Sequence, residues 1–312
     1  RSCQKLGITL YEGVYNYEGW VEAVRGLEEE PEKGKRCDVC FDNRLEESAL
    51  KALEIGEKIV TTTLLTSPKK SLDQLEKALR IIADKYHLDI VVPDFRKNGG
   101  TQEQFALAKK DMLYHQDYCG CIFALSVQRS QQNRWADELS CPLRPQVLPS
   151  SIEDRIEVYE RVMTLENEKT PFKLVREKFL NYRLSRAWIK NNNKEIIPSY
   201  VLFYSTCKKE YVKTKIEAIV EGVGFSNKEE ARFISINTFN KIANTQYATV
   251  KELLHNPPSL EVEITFRNSI TQSLFASLTP LIIVDEVKLE SYELFIQSKT
   301  YHDIRENLVL IS

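Results

Sequence analysis

The chain has 312 residues, of which 42% are hydrophobic and 28% are charged, and its 43 basic and 45 acidic residues leave a net charge of −2. This composition is typical of a folded globular protein and excludes a wholly disordered chain. The near-zero net charge excludes the strongly basic proteins that bind nucleic acids through their overall charge. No run of about 20 apolar residues is present, which excludes a membrane-spanning helix, and the length predicts two domains at about 150 residues each.

The first residues read as the end of a helix that Gly7 caps, and residues 8–11 read as a strand. A strand normally precedes such a helix in a parallel sheet, and the only methionines are Met112 and Met163. We therefore expect a first strand, and most of a first helix, to lie before residue 1. No targeting segment is visible, so we expect a cytoplasmic protein.

The rest of the first half alternates between helices and strands. Apolar residues at helical spacing predict helices over 17–25, 37–56, 71–86, 102–115 and 122–129. Apolar, partly β-branched runs predict strands over 58–65 and 89–93. This alternation predicts an α/β domain over residues 1–145, built on a Rossmann-like, doubly wound parallel sheet.

The sequence pattern changes in the second half, after a linker that contains Pro142, Pro145 and Pro149. The patterns predict a helix from Ser150 or Ser151 to residue 165, strands over 201–204, 231–236, 260–266 and 281–284, and helices over 238–245 and 249–254. Residues 146–312 are thus predicted to form a helical linker and a smaller α+β domain.

The seven cysteines are unevenly placed. An odd number in a chain without a signal peptide is a poor disulfide framework, and we interpret Cys3, Cys141 and Cys207 as ordinary small apolar residues. Cys37 and Cys40 form a C-x-x-C at the start of a predicted helix, where residues i and i+3 share one face. A helix N-terminus favours thiolates, so this pair indicates a metal ligand pair or a redox couple, with two simply packed cysteines as the alternative.

The second cysteine pair is Cys119-Gly120-Cys121. The glycine frees the backbone to bring the two sulfurs together, so the pair can ligate a metal or cycle between a dithiol and a strained, reducible disulfide. Two cysteine pairs also fit a structural Cys₄ zinc site. The 78 residues between the pairs hold a complete βαβ pattern that needs no metal to fold, which favours a catalytic metallocofactor.

Two polar loops follow the predicted strands. The carboxyl ends of parallel strands are where α/β proteins bind phosphates, and hydroxyl and basic side chains there could hold a phosphate, a ribose or an RNA backbone. The residues are Thr66, Ser67, Lys69 and Lys70 in the first loop and Arg96 and Lys97 in the second. Ordinary solvated turns are the alternative. The sequence has no G-x-G-x-x-G and no P-loop motif, so nicotinamide and P-loop functions lose their main support.

Three ordered segments resemble the QueH-type epoxyqueuosine reductases over about residues 1–130. They are Lys33-Gly34-x-Arg36-Cys37-x-x-Cys40-Phe41-x-x-Arg44-Leu45, then Thr61-Thr62-Thr63-Leu64-Leu65-Thr66-Ser67-Pro68-Lys69-Lys70, and then Tyr114-x-Gln116-x-Tyr118-Cys119-Gly120-Cys121. The resemblance implies a Rossmann-like fold of the nucleotide-hydrolase type. It also implies two-electron reduction of the epoxide of epoxyqueuosine, at the wobble position of tRNA, to queuosine. The region after about residue 150 is similar to a C-terminal extension of some members.

The resemblance further implies that Cys37 and Cys40 ligate a [4Fe–4S] cluster, and it leaves open a second iron. Cys119 and Cys121 would be the redox-active pair, because removal of the epoxide oxygen needs two electrons and a dithiol supplies two. An electron donor, not identified from the sequence, would complete the reaction.

Two departures from the family pattern stand out. The adjacent Cys-Cys pair that supplies the remaining cluster ligands is absent, in line with the first strand expected before residue 1. His115 replaces an expected arginine beside Gln116, which would make a phosphate contact weaker or dependent on pH. The residues alone also allow a zinc-stabilised nucleic-acid-binding module or a thiol–disulfide oxidoreductase that acts on proteins.

Overall fold

The computed structural model describes residues 1–116, 118–139, 146–273 and 275–311. The predicted apolar Cys141 and two linker prolines, Pro142 and Pro145, lie outside these residues. The chain divides into two compact units, Arg1–Gln128 and Arg129–Ser312. Within the described ranges, every helix is too short or too polar to cross a lipid bilayer.

The first unit is mainly helical. Its helices are α1 (Ser2–Leu6), α2 (Tyr17–Ala23), α3 (Lys35–Ile55), α4 (Leu72–Tyr86), α5 (Gly100–Lys110) and α6 (Ile122–Gln131), the last of which continues past Gln128. Two short strands, β1 (Ile59–Val60) and β2 (Asp89–Ile90), pair in parallel across α4. Single 3₁₀ turns cover Thr63–Thr66 and Lys97–Gly99.

The predicted helix ends are confirmed where a local signal specifies them. Gly7 ends α1 and Gly56 ends α3, both in the left-handed region with φ of 64° and 77°. The Ser71 side chain accepts a hydrogen bond from the Gln74 N–H and begins α4. Helices α3 and α4 then bury their apolar faces against each other and β1. This core contains Phe41, Leu45, Ala49, Ala52, Val60, Leu75, Leu79 and Ile82.

The predicted Rossmann-like parallel sheet is wrong. The parallel sheet of the described residues has only β1 and β2, with two residues each. The run over 58–65 stops early because the Thr62 side chain accepts a hydrogen bond from the Leu64 N–H and begins the 3₁₀ turn at Thr63. Residues 8–11 belong to no strand, and Ile8, Leu10 and Tyr11 are exposed.

The main sheet of the protein lies in the second unit, and it has eight strands in the order β4-β3-β10-β6-β7-β8-β9-β5. The strands are β3 (Phe172–Lys190), β4 (Ile196–Ile197), β5 (Ser199–Val201), β6 (Tyr211–Val220), β7 (Val223–Ser226), β8 (Arg232–Ser235), β9 (Leu281–Val284) and β10 (Ser291–Leu310). All pairings are antiparallel except β8 with β9. The edge strands β4 and β5 are separated in the chain only by Pro198, so the sheet curls into a nearly closed barrel.

Two strands of this sheet are unusually long. β3 and β10 pair from Phe172 with Leu310 to Lys190 with Glu293. The sequence patterns predicted no strand over 172–190 or 291–310. One face of β6 and β10 is buried in a core with Phe233, Ile282 and Val284.

Helices accompany the sheet in the second unit. They are α7 (Ile152–Asn167), α8 (Ile236–Ala243), α9 (Val250–His255) and α10 (Leu260–Thr271), with a 3₁₀ turn at Asp137–Leu139. The strand predicted over 260–266 is therefore wrong, because the Ser259 side chain accepts a hydrogen bond from the Val262 N–H and begins a helix. The buried Glu263 of α10 accepts hydrogen bonds from the Tyr200 hydroxyl and the Phe203 N–H, which satisfies its carboxylate within this core.

Candidate redox site

Helix α3 brings Cys37 and Cys40 to the same side of its first two turns. The helix begins after Gly34, and the cysteines are its third and sixth residues. The Cys37 sulfur accepts a hydrogen bond from the Lys33 N–H at 3.3 Å, and the half-buried side chain packs against the core of the first unit. A C-x-x-C at a helix start thus presents two sulfurs on one face with a backbone donor already aimed at one of them.

Cys40 lies beside aromatic and basic side chains that the sequence did not connect to it. The Trp20 side chain of α2 forms a hydrogen bond with Cys40, and Arg44 lies one helical turn further along α3. The Trp20 ring also contacts the Phe123 ring, with 6.0 Å between centroids. The sequence pattern places Trp20 on the apolar face of a helix. Nothing in the neighbouring sequence indicates that its side chain forms a hydrogen bond with a thiol.

Cys119 and Cys121 lie in the turn that leads into α6. The Cys119 N–H donates to the Gln128 side-chain oxygen at 3.1 Å, and the Cys121 carbonyl accepts from the Leu125 N–H at 2.8 Å. The next helix therefore fixes the backbone of this pair at both cysteines. Both thiols are free and half-buried, as are Cys37 and Cys40.

Cys119 and Cys121 lie within electrostatic range of Cys40, although 78 residues separate the two pairs in the sequence. Burial raises the pKa of the Cys40 thiol above its ordinary value of 9.0, and the negative charges of the Cys119 and Cys121 thiolates raise it further. Arg44 and the hydrogen bond from Trp20 act in the opposite direction. Cys119 and Cys121 therefore lie near enough to Cys40 to disfavour its thiolate. By contrast, Cys207 lies in the second unit, where burial raises the pKa of its thiol to about 12.

Lys70 joins the polar loop after β1 to the cysteine site. Its ammonium nitrogen lies 3.6 Å from the Cys119 sulfur and 3.7 Å from a carboxylate oxygen of Glu32. Only 15% of the Lys70 side chain is exposed. The sequence prediction placed Lys70 in a phosphate-binding loop, and the structure places its charge next to a sulfur.

Arg96 ties the two polar loops together. Its guanidinium donates to the Leu65 carbonyl at 3.1 Å and to the Lys70 carbonyl at 2.8 Å. The third guanidinium nitrogen is buried and has no hydrogen-bond partner among the residues that the structure describes, and the same holds for the side-chain oxygen of Gln74. Because Gln74 also donates to the Lys33 carbonyl at 2.8 Å, both unpaired atoms belong to side chains that hold the backbone around this site.

The other predicted site residues have local contacts. The Thr66 hydroxyl donates to the Thr63 carbonyl at 2.7 Å, and Lys97 lies 3.7 Å from the Asp94 carboxylate. The His115 ring packs edge-on against Phe105, with 4.9 Å between centroids. Ser67 ends the 3₁₀ turn, Lys69 follows in the same loop, and Gln116 donates to the Tyr118 carbonyl at 2.8 Å.

In the described ranges, no three metal-ligating side chains lie close enough together to hold a metal ion. Cys37 and Cys40 nevertheless have the chemistry of cluster ligands, because they are thiols on one face of a helix N-terminus and each accepts a hydrogen bond. They could supply two of the four thiolates that a [4Fe–4S] cluster takes.

Comparison with known proteins gives a consistent result. The family model described as "Epoxyqueuosine reductase QueH" matches residues 1–127, which is almost the whole first unit. The epoxyqueuosine reductase QueH of Helicobacter pylori is 37% identical over 300 residues, which cover 92% of this chain and 80% of that protein. The QueH proteins of Histophilus somni and Thermotoga maritima are 35% and 38% identical over 139 and 112 residues, covering 44% and 36% of this chain and 55% and 58% of theirs.

Proposed function

Because this chain belongs to the QueH family of epoxyqueuosine reductases, we propose that Cys119 and Cys121 are the redox pair with which it reduces its substrate. The membership confirms the resemblance that the cysteine motifs predicted. It also decides among the functions that the residues alone allowed: the protein is an oxidoreductase, an epoxyqueuosine reductase. The proposed substrate is tRNA that carries epoxyqueuosine at the wobble position.

The reaction balances with one dithiol. Conversion of the epoxide to the alkene of queuosine breaks two carbon–oxygen bonds and consumes two electrons and two protons, and the oxygen leaves as water. Oxidation of the Cys119 and Cys121 thiols to a disulfide releases two electrons and two protons. An external electron donor must then reduce the disulfide before the next turnover.

The placement of Cys119 and Cys121 within electrostatic range of the Cys40 thiol is the observation that carries this proposal. The Lys70 ammonium, 3.6 Å from the Cys119 sulfur, would pair with a thiolate formed there during the reaction. Trp20, whose ring contacts Phe123, places an aromatic side chain beside Cys40.

We further propose that Cys37 and Cys40 ligate a [4Fe–4S] cluster, which would supply electrons one at a time when bound. The Lys33 N–H and the Trp20 side chain would then hydrogen-bond to ligand sulfurs, an arrangement that orients ligands and tunes cluster potentials. Iron and sulfide content per chain tests this assignment: Cys37→Ser should lose iron, whereas Cys207→Ser in the second unit should retain it. Equal iron in both variants would overturn the assignment.

The loop residues remain proposed tRNA contacts. Lys97 has 76% of its side chain exposed, which leaves it able to reach a phosphate. Thr66, Ser67 and Lys69 lie in the loop that Arg96 anchors, and His115 and Gln116 precede the redox pair. Lys70 is assigned instead to the Cys119 sulfur.

An anaerobic assay of the full-length protein on tRNA that carries epoxyqueuosine tests the redox pair. Cys119→Ser and Cys121→Ser should each abolish conversion to queuosine, and Cys207→Ser should convert at the wild-type rate. Conversion at the wild-type rate by the Cys119→Ser/Cys121→Ser double variant would refute the proposal. Mass spectrometry after a single turnover without reductant should show the disulfide between residues 119 and 121.

A further inference from the structure

The outer face of the long strands in the second unit carries a row of aromatic rings. Trp188 of β3, Phe295 of β10 and Tyr211 of β6 are paired in register, so they lie side by side across three neighbouring strands. The Trp188 and Phe295 rings stack, with 5.5 Å between centroids and 9° between planes, and Tyr211 lies 6.1 Å from Trp188. Tyr211 is 44% exposed.

This row is on the opposite face from the core. The neighbours of these residues along the strands, Ile189, Val212, Leu294 and Ile296, are all buried. Because successive side chains of a strand point to opposite faces, the three rings point away from the core. Their own packing therefore contributes little to the interior of the unit.

Basic side chains surround the rings on the same face. On β3, Arg186 and Lys190 lie two residues before and two residues after Trp188. On β6, Lys213 and Lys215 lie two and four residues after Tyr211, so they share its face. The Lys190 ammonium lies 5.0 Å from the Trp188 ring centroid, and the Arg186 guanidinium lies 5.8 Å from that of Phe295. Among the described residues, two carboxylates also lie at this face. Glu293 forms an ion pair with Lys213 at 3.1 Å, and Glu210 accepts a hydrogen bond at 3.3 Å from Gln297, the register partner of Arg186.

We propose that this aromatic–basic face, formed by the three rings and the four cations around them, binds unpaired nucleotides of the tRNA substrate. Four cations against two carboxylates leave this face positively charged and complement the phosphate backbone, although the whole chain has a net charge of −2. Exposed aromatic rings on a β-sheet offer stacking surfaces to bases that are not held in a duplex. The inference rests on the proposed function, because that function supplies an RNA as the partner. It assigns to the second unit a role in substrate binding that is separate from the cysteine chemistry.

The test measures binding of an unmodified tRNA transcript to the full-length protein by fluorescence anisotropy at several salt concentrations. Tyr211→Ala should weaken binding about tenfold, which corresponds to ~1.4 kcal/mol, whereas Tyr211→Phe, which keeps the ring, should bind like the wild type. Lys213→Gln/Lys215→Gln should also weaken binding and should reduce the salt dependence of log K by roughly 1 to 2.

The control is Lys173→Gln/Lys178→Gln, which makes the same change in charge at two exposed positions of β3. Lys178 lies ten residues from Trp188, a distance of roughly 33 Å along the strand, so this variant should bind like the wild type. Wild-type affinity in Tyr211→Ala and in Lys213→Gln/Lys215→Gln would overturn the proposal. A changed oligomeric state with unchanged RNA affinity would also overturn it and would identify this face as a contact between copies of the chain.

The same variants separate this proposal from the proposed function. In the anaerobic assay, Tyr211→Ala should raise KM for tRNA and leave kcat unchanged, because the rings do not touch the reacting atoms. A wild-type protein that binds the transcript through this face but does not reduce epoxyqueuosine would refute the reductase chemistry alone. A protein that reduces it with the same KM in all variants would refute the RNA-binding face alone.

Discussion

Replacement of Arg96 by alanine is expected to loosen the loop that carries Lys70 to Cys119. The guanidinium holds this loop at two points, the carbonyls of Leu65 and Lys70, at 3.1 and 2.8 Å. Leu65 is fully buried, so its carbonyl has little access to water as a substitute partner. The variant should therefore lose local stability first and catalytic rate as a consequence.

The size of the effect follows from the two lost bonds. A hydrogen bond to a charged group contributes about 1.5 to 3 kcal/mol, so loss of both should cost ~3 kcal/mol at the lower end of that range. Arg80 on α4 provides the comparison, because it bonds to Glu76 one turn away and 65% of its side chain is exposed. Such an exposed pair contributes about 0.3 to 0.5 kcal/mol.

Hydrogen exchange measured by mass spectrometry on peptides from residues 61–70 tests this difference locally. A loss of ~3 kcal/mol in the free energy of opening should speed exchange there by roughly 100-fold in Arg96→Ala, and Arg80→Ala should exchange like the wild type. Arg96→Lys keeps the positive charge but has fewer hydrogen-bond donors, so its exchange rate should lie between those of Arg96→Ala and the wild type. Wild-type protection of residues 61–70 in Arg96→Ala would refute the reasoning that this side chain anchors the loop.

Three further predictions concern single side chains. Lys70→Gln should lower kcat about tenfold, because the charge beside the Cys119 sulfur is removed and ~1.4 kcal/mol of stabilisation is lost. Trp20→Phe removes a hydrogen bond that lowers the pKa of Cys40, so that pKa should rise further above 9.0, and the pH at which iodoacetamide alkylates Cys40 should rise with it. Gly222→Ala should destabilise the second unit by about 1 to 3 kcal/mol in urea unfolding, since its φ is +78° and an added Cβ would lie 2.1 Å from a Thr238 oxygen.

Matched variants control these measurements. Lys58→Gln removes an exposed lysine of the first unit and should leave kcat unchanged, and Trp135→Phe in the second unit should leave the alkylation of Cys40 unchanged. Gly13→Ala places its Cβ in open space and should unfold at the wild-type urea concentration. An unchanged kcat in Lys70→Gln, an alkylation midpoint that moves down in Trp20→Phe, or an unchanged midpoint in Gly222→Ala would contradict the corresponding argument.

The helices were the most predictable part of the fold, because their signals are local. Ser71 begins α4 and Gly56 ends α3 with contacts inside a few residues, and the apolar spacing between such ends fixes the buried face. Ser259 carried the same kind of signal for α10. Apolar and polar residues alternate over Val262, Glu263 and Ile264, which is typical of a strand. The Ser259 cap nevertheless begins a helix there.

The main sheet was not predictable in the same way. β3 and β10 pair residues that are more than 100 positions apart, and no short turn joins them. Many of their side chains are half-exposed on both faces, so the alternation that reveals a strand is weak. The parallel sheet was predicted from apolar runs that in the structure shorten to two residues each.

At the site, residue type and spacing identified the cysteines, whereas their neighbours depended on the fold. Lys70 reaches Cys119 across 49 residues of sequence, and Trp20 reaches Cys40 from another helix. Sequence alone gave Lys70 a different partner, because a lysine in a loop carries no local sign of which atom it will contact.

The pairing of β3 with β10 also constrains when the second unit can form during synthesis. Phe172 pairs with Leu310, which is synthesised 138 residues later. At 5 to 20 residues per second, the delay between the two is roughly 7 to 28 s. The buried cluster of the first unit lies between Phe41 and Leu88, so its residues are all synthesised before this interval and can pack on the ribosome during it. Residues 172–188 of β3, whose strand partner is β10, must meanwhile remain unpaired. The charges of Lys173, Arg176 and Lys178 along that strand would oppose its association with other nascent chains.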